Sequence, residues 1–112
     1  MKVYLSAPIS GVEDQNSFAF GFCQSILEYM GYEVVNPLNI EPLYIKGRGE
    51  WEAHMAADIR ELVTCDVLCL IRPKGDSRGV ALEVELAKQL GIKIVEGLPQ
   101  FAWPEKGVRD AD

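Results

Sequence analysis

The sequence predicts a small α/β domain built on a doubly wound parallel sheet. Three observations carry that expectation. Short β-branched or wholly apolar runs alternate with stretches whose apolar residues recur every three to four positions. Two of the helical stretches end in a glycine followed at once by a strand-like run, at Gly31-Tyr32 and Gly91-Ile92. The run over 66–72 is almost continuously apolar, as expected of a central strand covered on both faces. With 112 residues, 48% of them hydrophobic, the chain supports one core and is too short for two. A single domain over 1–112 is expected, with an irregular tail from about 96.

Taken in order, residues 2–7 are apolar, include Val3 and Tyr4, and meet Pro8, which predicts a short buried strand. A loop covers 8–15. Asp14 or Asn16 is placed to cap a helix in which Phe18, Phe22, Ile26 and Met30, beside Ala19 and Leu27, form one buried face ending at Gly31. Residues 32–36 (YEVVN) form a second strand stopped by Pro37. From 38 to 50 the chain carries Pro42, Gly47 and Gly49 without a period, a long loop of the kind that shapes a site.

A second helix begins near Trp51, with Met55, Ile59, Leu62 and Val63 as its stripe, and fades at Thr64-Cys65. The third strand covers 66–72 (DVLCLIR), a loop 73–78, a third helix 79–90 and a fourth strand 92–95 (IKIV). Right-handed crossovers through these helices put helices on both faces of the sheet, a Rossmann- or flavodoxin-like arrangement. Ligands of such sheets sit beyond the carboxyl ends of the strands at the switch point. That brings the loops over 6–11 and 73–79 together.

Eleven Lys and Arg against seventeen Asp and Glu give a net charge of −6, without the basic footprint of a general nucleic-acid binder. A small anion still responds to a local cluster of donors. Cys23, Cys65 and Cys69 form no CxxC pair, which points to reduced thiols, and Cys65 and Cys69 read as small core residues. His54 is the only histidine, so neither a metal site nor a Ser-His-Asp triad is expected. The first apolar run is too short for a signal peptide or a membrane span. A cytoplasmic protein without membrane, nucleic-acid polymer, metal or cofactor is the expectation.

Chemistry concentrates in the third loop and its helix. Arg72, Lys74 and Arg78 fall within seven positions ahead of the helix, with Ser77 at the capping position and Gly79 inside it. A helix start with free N–H groups suits a phosphate, although the same residues also make an ordinary capped helix. Gly11 allows a backbone approach in the first loop. Glu83 and Glu85 lie among apolar neighbours, so at least one carboxylate is near the apolar side; Glu83, about one turn from the loop, has the chemistry of a nucleophile toward a sugar C1′. Asp58, beside Met55, Ile59 and Leu62, would complete an acid and nucleophile pair, or else pair at the surface with Arg60. Tyr4 points to the switch point or into the core. Trp51 either stacks on a base or packs against a neighbour, and Lys46 and Arg48 read as a solvated loop tip.

Three blocks, YLSAPISG over 4–11, DIR over 58–60 with Cys65-Asp66 after it, and SRGVALE over 77–83, resemble the nucleoside 2-deoxyribosyltransferase-like superfamily. The resemblance spans residues 2–95. It is closest to the short phage and bacterial branch, and similar to the 2′-deoxynucleoside 5′-monophosphate N-hydrolases. The resemblance implies cleavage of the N-glycosidic bond of a small nucleotide, with Glu83 as nucleophile, Asp58 handling the proton of the leaving base and Tyr4 orienting Glu83. It also implies that Ser77, Arg78 and Gly79, with Ser10 and Gly11, hold the 5′-phosphate. A deoxyribosyltransferase or a non-catalytic nucleotide-binding module are the alternatives of the same fold. Where the hydrolases carry a basic residue in the first loop this chain has Ser10, and Arg78 or Lys74 is the replacement cation. Those hydrolases also receive a Ser or Asn from a neighbouring subunit's tail; after Gly91 this chain has none, leaving Lys106 or Arg109. The family is usually oligomeric, so a homodimer or higher homo-oligomer is expected, with Phe101 and Trp103 as candidate interface residues.

Overall fold

A computed structural model describes residues 1–9, 11–71 and 77–98. Ser10, Arg72, Lys74, Phe101, Trp103, Lys106 and Arg109 therefore lie outside the described residues. The element order is β1 (Lys2–Ser6), α1 (Ser17–Tyr29), β2 (Glu33–Val35), α2 (Glu50–Leu62), β3 (Val67–Leu70), α3 (Arg78–Leu90) and β4 (Lys93–Glu96). The strands form one parallel sheet in the order β2-β1-β3-β4. This is the doubly wound α/β class that the alternation of strands and helices predicts. The strand order reverses direction between β1 and β3, so the switch point lies between the loops that follow them.

Each strand of a sheet presents alternate residues to opposite faces, and β1 shows what that does here. Val3 and Leu5 join Phe20, Cys23 and Leu27 of α1, with Val67 and Cys69 of β3, in one apolar cluster. Tyr4 faces the other way, into a second cluster with Leu62 of α2, Cys65, Leu68, and Ala87 of α3. One face of the sheet is therefore closed by α1 and the other by α2 and α3. Burial pushes the thiol of Cys69 up to about 12 and that of Cys65 up to about 11, so both stay protonated and unreactive as core residues.

The buried face of α1 differs from the expected stripe. Phe18 and Phe22 stack on each other at 6.0 Å but are largely exposed, while Phe20, Cys23 and Leu27 are buried. Both sets have helical spacing on a helix rich in apolar residues, and docking onto Val3, Leu5 and Val67 selects one of them. The side-chain cap expected from Asp14 or Asn16 is also absent. Residues 14–16 take left-handed φ values of 54°, 57° and 59°, and the Asn16 amide donates instead to the Pro8 carbonyl at 2.7 Å. In α2 the stripe is likewise displaced: Ala53, Met55, Ala57, Asp58 and Leu62 are buried, whereas Val63 is exposed.

The start and end of α3 follow local chemistry. The Ser77 hydroxyl accepts from the Val80 amide at 3.2 Å as an N-cap, and Gly91 closes the helix with a φ of +71° that glycine adopts without steric cost. Hydrogen bonds from the Gly91 and Ile92 amides back to Lys88 and Ala87 then lead the chain into β4. The segment between β2 and α2 begins with a short 3₁₀ turn, Pro37–Asn39, capped by Asn36.

Candidate functional site

A pocket of about 770 Å³ opens at the switch point. One wall is α2, which contributes Glu50, Trp51, His54, Met55 and Asp58, a single helical face at spacings of three and four. The opposite wall is the first turns of α3, from Ser77 to Glu83, and the rim carries Ile9, Gln15, Leu38 and Ile40 from the loops after β1 and β2. The long segment between β2 and α2 thus shapes the pocket, as its lack of period predicts.

Glu83 lies at the base of this pocket and is only 5% exposed. Its two oxygens are held separately. The Tyr4 hydroxyl donates to Oε2 at 2.7 Å and the Ser6 hydroxyl donates to Oε1 at 2.9 Å. Both donors come from β1, two residues apart and therefore on one face of the sheet. Burial pushes the Glu83 carboxyl up to about 6, against the downward pull of the two hydroxyls, which stabilise its anion. The Tyr4 phenol is driven strongly upward by burial and then by the charges of Glu83 and Asp58, so it remains a donor throughout the working pH range.

Asp58 reaches the same pocket from α2 and is 7% exposed. Burial, and then the neighbouring charge of Glu83, push its carboxyl up to about 7. Two buried carboxyls that repel each other titrate as a pair with separated steps. Between about pH 6 and about pH 7 the pair favours Glu83 ionised and Asp58 protonated, the division of labour needed by an acid and a nucleophile.

The outer end of the pocket carries one guanidinium, Arg78, and one exposed carboxylate, Glu50. The Arg78 guanidinium lies over the Trp51 ring, 3.6 Å from its centroid, joining the first turn of α3 to the first turn of α2. Gly79 permits this approach of the helices, because a Cβ there would meet the Met55 sulfur at 3.3 Å. Ser77 sits beside them, its oxygen engaged by the Val80 amide. His54 lies 3.8 Å from Glu50 at the solvent side. Among the described residues no group of three His, Cys, Asp or Glu is placed to hold a metal ion, and no helix is long and apolar enough to cross a membrane.

Of the residues singled out in the sequence, Tyr4, Asp58, Ser77, Arg78, Gly79 and Glu83 come together here. Gly11 does not reach the pocket wall; it is exposed with a φ of +74°, and Ile9 and Gln15 represent its loop instead. Glu85 is exposed and bonds to Gln89, which leaves Glu83 as the buried member of that pair. Arg60 lies 3.9 Å from Glu61, so the surface pairing considered for Asp58 does not form. Ser6 is the residue that the sequence did not single out. Its signal was its position two residues after Tyr4 on a buried strand.

A family model described as a domain of unknown function (DUF4406) matches residues 1–96. No curated protein matches the chain in sequence. Among solved structures the chain is similar to a conserved protein from Enterococcus faecalis V583, at 19% identity and a TM-score of 0.62, over 86% of this chain and 62% of that one. It is similar to a 2-deoxyribosyltransferase from Bacillus psychrosaccharolyticus, at 23% identity and a TM-score of 0.66, over 99% and 82% of the two chains. It is also similar to a CMP N-glycosidase from Clostridium botulinum, at 20% identity and a TM-score of 0.61, over 98% and 81%. The chain therefore spans less than two thirds of the Enterococcus protein and about four fifths of the other two. What it shares with all three is the fold.

Proposed function

The chain belongs to the DUF4406 family, and we propose that it cleaves the N-glycosidic bond of a 2′-deoxynucleoside 5′-monophosphate, releasing the free base and the sugar phosphate. The observation that carries this reading is the buried Glu83, gripped on both oxygens by Tyr4 and Ser6 and paired with Asp58 in one pocket. Glu83 attacks C1′ while the bond from C1′ to the base breaks. Asp58 in its acid form gives its proton to the departing base. The product of this step is a glycosyl ester on Glu83. Water then attacks C1′, Asp58 takes its proton, and Glu83 leaves as a carboxylate, so both residues return to their starting states.

The polarity of the pocket supports a phosphorylated substrate. Arg78 and Glu83 are five residues apart on α3, about 7.5 Å along the helix axis. Trp51 and Asp58 are seven apart on α2, about 10 Å. Both helices place the cationic clamp at the mouth and a carboxylate deeper in. A pentose with an anion at one end and a developing positive charge at C1′ matches that order, since the buried anion stabilises an oxocarbenium-like transition state. Names of the similar structures, a 2-deoxyribosyltransferase and a CMP N-glycosidase, are in keeping with chemistry at an N-glycosidic bond.

The test is chromatography of products after incubation with each deoxynucleoside and each deoxynucleoside 5′-monophosphate, with and without a second base as acceptor. Free base from the monophosphates, unchanged by the acceptor, is the expected result. A new nucleoside formed with the acceptor would assign a transferase, and no release from any substrate would leave a nucleotide-binding module.

A further inference from the structure

We propose that Trp51 is a specificity-determining positioning residue: by stacking on Arg78 it fixes the guanidinium at the pocket mouth and so sets the preference for a 5′-phosphorylated sugar over the unphosphorylated one. This rests on the reading above that the pocket takes a pentose, and it assigns Trp51 a role other than stacking on the base.

The geometry supplies the argument. A guanidinium has a face and an edge. Contact at 3.6 Å from the ring centroid uses the face, and the five N–H donors point outward in the guanidinium plane. Among the described residues Arg78 has no carboxylate within ion-pair distance, so stacking does not accompany neutralisation. An arginine on a helix start is otherwise free to sweep solvent, at a cost in side-chain entropy each time it must be ordered by a ligand. Trp51 meets that cost before the ligand arrives. It also comes from a different helix, so the position of the cation is fixed relative to Asp58 on α2 as well as Glu83 on α3. Among the described residues Arg78 is the arginine that lines the pocket.

The test measures equilibrium binding of 2-deoxyribose 5-phosphate and of 2-deoxyribose by calorimetry, for the wild type, Trp51→Ala, Trp51→Phe and Arg78→Met. The wild type is expected to bind the phosphate form more tightly. Loss of an exposed cation–π contact in Trp51→Ala should reduce that advantage about three- to fivefold, with affinity for the unphosphorylated sugar little changed. Arg78→Met should reduce it further, and Trp51→Phe, which keeps an aromatic face, should restore most of it. Ring-current shifts on the Arg78 side-chain protons report the stack independently and should vanish in Trp51→Ala. A general structural role would weaken both sugars equally; that result, an unchanged phosphate advantage in Trp51→Ala, or no binding of the sugar phosphate by the wild type would overturn the proposal. Trp51-dependent binding without release of base from any nucleotide would instead sink the catalytic reading and leave this one standing.

Discussion

The two faces of the sheet are built from the same strand and do different work. On the α1 side, Val3 and Leu5 of β1 meet Phe20, Cys23 and Leu27 in an apolar cluster. On the α2 and α3 side, Tyr4 and Ser6 alternate with them and end on the carboxylate of Glu83. The first face contributes to the fold chiefly through apolar burial. The second accepts two carboxyls whose protonation burial disfavours losing, which costs stability at neutral pH and poises them for the proposed chemistry. A strand with a period of two can thus keep packing and chemistry apart at a separation of one residue.

Substitutions on the two faces should therefore separate activity from stability. The largest effect is expected for Glu83→Gln, which removes the proposed nucleophile. Release of base should fall about 10³-fold or more while the thermal transition stays cooperative, as followed by chromatography and calorimetry. Phe20→Ala on the opposite face should do the reverse. It should cost about 3–5 kcal/mol in denaturant unfolding and leave kcat per folded molecule within about twofold.

Asp58→Asn sharpens the contrast, because it should disable the site and strengthen the fold. The folded carboxyl titrates near 7, above its ordinary value of 3.8. Its contribution to stability is therefore complete below about pH 4 and is lost as pH rises through about 7. Asparagine does not titrate, so the variant should gain on the wild type over that window. At pH 8 a gain of about 4–8 °C in Tm is expected for each kcal/mol recovered, shrinking toward pH 4.

The smallest effect is on the pH profile. Wild-type kcat/KM should rise through about pH 6, as Glu83 ionises, and fall through about pH 7, as Asp58 loses its proton. Ser6→Ala removes one donor from the Glu83 anion, so the acidic limb should move upward by about one unit. The basic limb should move little, and Ser6→Thr should restore the profile.

Much of this was legible in the sequence, and the parts that were not share a cause. The alternation of strands and helices, the Ser77 cap and the Gly91 stop are local, and the structure reproduces them. Apolar helix neighbours alone leave Glu83 and Glu85 both open and Asp58 free to pair at the surface; the resemblance of the DIR and SRGVALE blocks is what selects Glu83 and Asp58. The face of α1 was not legible, because Phe18, Phe22 and Ile26 and Phe20, Cys23 and Leu27 satisfy the same period, and only docking on β1 and β3 chooses between them. Ser6 reads as a small strand residue until Glu83, 77 positions away, is brought to it. The Trp51 and Arg78 contact joins two helices and has no local signature at all.

The account turns on Glu83 carrying the sugar. The most direct measurement is intact-mass and peptide analysis of Asp58→Asn after acid quench with a deoxynucleoside monophosphate analogue whose base leaves without protonation, since glycosylation then bypasses the missing acid while loss of the base that activates water should let the glycosyl-enzyme accumulate. The account predicts an added mass of one deoxyribose phosphate residue, mapped to Glu83. Base release with no adduct, or an adduct on another residue, would contradict it.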